Sequence, residues 1–232
     1  MPPALIRVGH KGADLLSPGN TAESFRAALE CGVDMIEFDV LRLDDGRLVL
    51  AHDFADASGR EPLTLEQGLD LFAEEAYAGV ELDVDLKLPG YEREVIEGLV
   101  ERGLDSQTLI SSMYRESLRA IGELRPGLRR GLSVPKVKRD YTKSVVWALP
   151  AYGALRWMRA GLPSQAARTL RAGECEALMV NHHLMSRRLA DEVHGAGGML
   201  YVWTVDDAAE ILRFQEMGAD AVITNDPRLF SV

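Results

Sequence analysis

The 232-residue sequence predicts an α/β fold: one closed (β/α)8 barrel of the TIM type, a single domain over residues 1–232, with a short hairpin extension after the second strand. Three observations lead there. Short apolar runs alternate with amphipathic stretches along the chain, the pattern of parallel strands joined by right-handed helical crossovers. Eight such runs occur, which suits a barrel at the compact end of its size range. No GxGxxG follows the first run, which argues against an open doubly wound sheet.

The strands are expected at LIRVG (5–9), DMIEFDV (34–40), VELDVDL (80–86), QTLISS (107–112), LRRGLSV (128–134), EALMVN (176–181), MLYVWTV (199–205) and DAVIT (220–224). Helices are expected near 21–31, 64–76, 91–103, 114–124, 185–195 and 206–217, with another within 140–172. For the first helix, Asn20 is the expected cap and Glu23 completes a capping-box-like pair. Phe25, Ala28 and Leu29 form its inner stripe, and Gly32 sits just past its end. After Val40 the chain reads LRLDDGRLVLAHD, where Asp45-Gly46 is a turn signal between extended segments. This hairpin delivers His52 and Asp53 to the top of the second strand.

Composition narrows the function classes. Apolar content is 47% and charged content 27%, ordinary for a globular protein. A net charge of -10 disfavours nucleic acid as a partner. Cys31 and Cys175 have no CxxC neighbours, so both are expected as small core residues without a disulfide. The segment MPPALIRVGH has no signal-peptide apolar core, and no apolar run reaches about 18 residues. A cytoplasmic location is expected.

In a barrel of this kind, functional side chains come from the C-terminal strand ends. Those ends offer His10 and Lys11, Glu37 and Asp39 with His52 beyond, then Asp83, Asp85 and Lys87, and later Trp203 and Asn225. Residues two apart on a strand share a face, so the acids point together into the barrel. Several carboxylates in one cavity repel and lose hydration unless a cation sits among them. A hard divalent cation with oxygen ligands answers that cost; magnesium or calcium is the expectation, and manganese fits the spacing too. Two histidines beside such a centre suit general acid–base work, and Lys87 can neutralise a phosphate oxygen. The composite describes metal-assisted phosphodiester cleavage.

The motifs HKG (10–12), PGNT (18–21), GVDMIEFDV (32–40), DDGRLVLAHD (44–53), LDVDLK (82–87), VWTVDD (202–207) and GADAVITNDP (218–227) follow one another in order. Together they resemble the glycerophosphodiester phosphodiesterase family over nearly the whole chain. The resemblance implies His10 and His52 as the catalytic pair, and Glu37, Asp39 and Asp85 as ligands of one divalent cation. It implies Lys11 and Lys87 as phosphate contacts and Trp203 as a residue packing near the substrate. The implied reaction converts a glycerophosphodiester, a small-molecule substrate, to glycerol 3-phosphate and an alcohol. Water and the substrate's own 2-hydroxyl both qualify as the attacking group.

The chain departs from the family pattern in four places. Lysine at 11 replaces arginine, glycine at 19 replaces glutamate, aspartate at 85 replaces glutamate, and the insertion after His52 is reduced. Residues 134–171 carry eight Lys and Arg against Asp140 alone, interleaved with Trp147, Tyr152 and Trp157. That segment suits an anionic membrane surface, which would favour a lysophospholipase D-like activity on a lysophospholipid. Lys11, Gly19 and Asp85 would instead suit a barrel that binds phosphate esters and turns them over weakly.

Overall fold

A computed structural model of the protein describes residues 4–135 and 148–231. Eight parallel strands close on themselves: β1 (Ile6–Gly9), β2 (Met35–Arg42), β4 (Glu81–Leu86), β5 (Thr108–Ser112), β6 (Arg129–Val134), β7 (Ala177–Asn181), β8 (Met199–Trp203) and β9 (Ala221–Thr224). Each pairs with the next, and β1 pairs with both β2 and β9 to seal the ring. The ninth strand, β3 (Leu48–Leu50), runs antiparallel on β2 and forms the expected hairpin. All eight sequence-predicted strands are present, within two residues of their expected bounds.

The alternation of side chains separates two cores. Outward residues of the strands, such as Ile36, Phe38, Val84, Val180 and Val202, pack beneath the helices. Inward residues fill the barrel: Val8, Met35, Leu109, Met179, Tyr201 and Ile223 form a second buried cluster. The helices α1 (Ala22–Glu30), α3 (Leu65–Phe72), α4 (Glu92–Glu101), α5 (Arg115–Leu124), α7 (Arg187–His194) and α8 (Ala208–Glu216) lie where their apolar periodicity places them. The 24-residue α6 (Ala148–Arg171) answers the helix expected within 140–172, and Pro163 lies inside it. Residues 136–147, which hold half the basic charges of the segment 134–171, lie outside the described residues.

Two local expectations need correction. The cap of α1 is Thr21, which closes a capping box with Ser24. Asn20 does not cap; it sits fully buried at φ 59° with its side chain turned into the barrel. A short helix the pattern did not announce, α2 (Phe54–Gly59), begins directly after His52, with Asp53 accepting from the amides of Ala55 and Asp56. Six residues are too few for a 3.6-residue period to register. The two cysteines are free thiols; Cys175 is buried, while Cys31 is half-buried at the end of α1.

Candidate active site

The site is built at the C-terminal ends of β1, β2, β4 and β9. Register sets Glu37 beside Asp83 and Asp39 beside Asp85, so two pairs of acids stack on adjacent strands. Glu37, Asp39 and Asp83 are buried, and Asp85 is half-buried. One oxygen each from Glu37, Asp39 and Asp85 lies within 4.8 Å of the others. The nearest cation is Lys87, whose Nζ is paired to Asp39 Oδ1 and Asp85 Oδ2. Asp85 Oδ1 also accepts from Ser111 Oγ at 3.4 Å.

Burial and charge tune these groups in opposite directions. Burial and the adjacent Asp39 push Glu37 well above the usual carboxylate range. Burial would raise Asp39 too, but Lys87, helped by His52 and His10, holds it below its ordinary value. Burial works against the Lys87 ammonium, and Asp39, Asp85 and Glu37 outweigh it and keep the amine firmly charged. The donor set is all carboxylate oxygen, and the Lys87 ammonium opposes it at close range. Those residues fit a hard divalent cation in chemistry and in spacing.

Asn20 was the residue whose role the sequence hid. Its Nδ2 donates to Asp39 Oδ2 at 2.8 Å, and its Oδ1 accepts from the Asp39 backbone amide at 3.0 Å. One side chain thereby fixes both the strand and the carboxylate. Glu37 is held in a similar way, its Oε2 accepting from the Lys11 amide at 2.8 Å. Gly12 lets the β1 loop pass this close: its φ is 85°, and a Cβ there would lie 2.6 Å from the backbone of Ser24.

His10 is oriented from the far end of the chain. Its Nδ1 lies 2.5 Å from Asn225 Oδ1. Asn225 Nδ2 donates to Asp206 Oδ2 at 2.7 Å, and a carboxylate can only accept, so the amide oxygen must face the imidazole. The oxygen in turn requires Nδ1 to carry the proton, which leaves the Nε2 lone pair open, 3.9 Å from Glu37 Oε2. Burial, then the nearby Lys11 charge, lowers the His10 pKa and favours this neutral form.

His52 is more open to solvent than the acids, its side chain 51% exposed and its Nδ1 3.2 Å from Asp53 Oδ2. It lines a pocket of about 460 Å³ with Lys11, Gly19, Asp56 and Arg60. Trp203 is half-buried at the end of β8 against the inner cluster, and its enclosed indole N–H has no hydrogen-bond partner among the described residues. The structure thus gathers His10, Lys11, Glu37, Asp39, Asp85 and Lys87 tightly. It adds Asn20, Asn225 and Asp206, which spacing alone could not connect.

Comparison with known proteins shows the family and the fold. The model of the Glycerophosphoryl diester phosphodiesterase family matches residues 10–58 and 82–229. A glycerophosphodiester phosphodiesterase of Caldanaerobacter subterraneus subsp. tengcongensis is 27% identical over 252 residues, covering 95% of this chain and 93% of that protein. A crystal structure of a glycerophosphodiester phosphodiesterase from Parabacteroides distasonis is similar in fold, with TM-score 0.73 and 19% identity, covering 98% of this chain and 97% of that one. A phosphodiesterase from Oleispira antarctica, solved with the product sn-glycerol-3-phosphate, gives TM-score 0.70 at 20% identity, covering 97% of this chain and 94% of that one.

Proposed function

Because the chain belongs to the glycerophosphoryl diester phosphodiesterase family, we propose that residues 1–232 form one catalytic domain that hydrolyses glycerophosphodiesters to glycerol 3-phosphate and an alcohol. The observation that carries the reading is the meeting of an oriented, neutral His10 with three clustered carboxylates at one barrel mouth.

His10 Nε2 is the general base. It takes the proton from the attacking water as the water oxygen bonds to phosphorus. His52 is the general acid: as the phosphorus–oxygen bond to the alcohol breaks, it gives a proton to the departing oxygen. Asp53 Oδ2, 3.2 Å from His52 Nδ1, orients the ring. Lys11 and Lys87 oppose the charge on the phosphate oxygens. Glu37, Asp39 and Asp85 would hold one divalent cation, magnesium or calcium. Such an ion, when bound, supplies Lewis-acid charge to the phosphoryl group. Trp203 would border the substrate.

A second reading takes a lysophospholipid at an anionic membrane surface. Three large apolar side chains are exposed on segments that leave C-terminal strand ends: Leu15 at 64%, Phe54 at 47% and Trp157, within 134–171, at 81%. No helix among the described residues is long and apolar enough to cross a membrane.

One experiment separates these readings. Release of glycerol 3-phosphate from glycerophosphocholine is followed with and without EDTA, in the wild type and in His10→Ala, alongside lysophosphatidylcholine in anionic vesicles. EDTA should abolish turnover, and loss of the imidazole should cost about 10²–10⁴-fold. Turnover indifferent to both changes would sink the mechanism. Preference for the lysolipid would favour the membrane reading. No turnover of either substrate would leave a barrel that only binds phosphate esters.

A further inference from the structure

The two positions in the first loop that depart from the family pattern, Lys11 and Gly19, meet at a third residue. Asp14 Oδ2 accepts from Lys11 Nζ at 3.1 Å, and Asp14 Oδ1 accepts from the Gly19 amide at 2.8 Å. The same loop is pinned by the Asn20 amide donating to the Lys11 carbonyl at 3.0 Å. A side chain at 19 has no room: its Cβ would lie 2.6 Å from Asp14 Oδ1 and 2.7 Å from Lys11 Cβ. The Asp14 carboxylate therefore stands where a side chain on residue 19 would begin. Lys11, Asp14 and Gly19 together line one wall of the pocket that His52 shares.

We propose that Asp14 is a positioning residue for the Lys11 ammonium, and that glycine at 19 is what admits it. Lysine ends in a mobile point charge on a four-carbon stem, where a guanidinium presents a rigid planar fork. The Asp14 carboxylate supplies the missing direction, holding the amine at the rim of the phosphate site. Lys11 is 18% exposed and Asp14 31%, so the pair is partly shielded from water and less screened than a surface pair. The inference rests on Lys11 as a phosphate contact. It also has an electrostatic rival, since a carboxylate this near would repel a phosphodiester if it did not steer the lysine.

A double-mutant cycle decides between them. Asp14→Asn keeps an oxygen for the Gly19 amide and removes only the charge. Steady-state kinetics with glycerophosphocholine are compared for wild type, Asp14→Asn, Lys11→Ala and the double variant, with thermal midpoints as a folding check. In the wild-type background Asp14→Asn should lower kcat/KM about tenfold, chiefly through KM; in the Lys11→Ala background it should change little. Gly19→Ala, which displaces the carboxylate, should reproduce the loss. Equal losses in both backgrounds would reduce Asp14 to a loop scaffold, and a fall in KM would show repulsion; either overturns the proposal. If the wild type turns over no glycerophosphocholine, the assigned activity has failed. The same four proteins titrated calorimetrically with glycerol 3-phosphate then decide the coupling. Non-additive losses of affinity sustain it, while additive losses, or no binding by the wild type, overturn it.

Discussion

At the scale of single residues, the site depends on side chains outside the carboxylate cluster. Asn20 bonds both the carboxylate and the amide of Asp39, so it sets the angle at which that carboxylate faces the cavity. Groups that orient ligands in this way typically cost ten- to a hundredfold when removed. Asn20→Ala should weaken calcium or magnesium binding by that factor, read by calorimetry, while the circular dichroism of the fold stays unchanged. The sequence displayed Asn20 plainly but could not reveal this task. A polar residue just before a helix reads as a cap, because capping is local and the Asp39 contact spans 19 positions. His10, Glu37 and Asp39 were legible because strand ends and the two-residue period are local properties. Asn225 was visible as a polar strand end, but its orienting role and that of Asp206 were not, because they come from bonds that span 215 and 19 positions.

At the scale of elements, α1, β2 and α3 meet through an aromatic stack. Phe72 lies 4.8 Å from Phe25 and 5.0 Å from Phe38 between ring centroids, and Tyr77 closes the group at 5.4 Å. Phe72 is 1% exposed, so its truncation leaves a cavity beneath the strand that carries Glu37 and Asp39. Phe72→Ala should destabilise the fold by about 3–5 kcal/mol in urea unfolding. A loss under 1 kcal/mol would mean that the neighbouring rings collapse to fill the space. The regular elements were readable because their periodicity repeats over several turns or pleats. The short α2 was not, since its existence depends on the Asp53 cap and on where the hairpin releases the chain.

At the scale of the whole molecule, the barrel carries buried charge that its stability must register. Burial, together with Asp85, pushes Asp83 to about 8, although the neighbouring Ser111 hydroxyl acts to lower it. Its folded pKa is thus raised above the unfolded value of 3.8. The unfolded chain gives up this proton first, so stability declines as pH climbs above about 3.8 and levels off above about 8. In EDTA-treated protein, Asp83→Asn should flatten that decline. An identical pH dependence in both proteins would remove Asp83 as its source. The closed architecture itself was readable from eight alternating units; which strand ends would face one another across the ring was not, because closure is a property of the complete set.

That closure also has a temporal side. β1 is synthesised long before β9, yet they are neighbours in the ring. The imidazole of His10 waits while the 215 positions that separate it from Asn225 are translated, before that amide can orient it. A nascent chain halted before Asn225 therefore already carries Glu37, Asp39 and Asp85, while its His10 still lacks the partner that orients it.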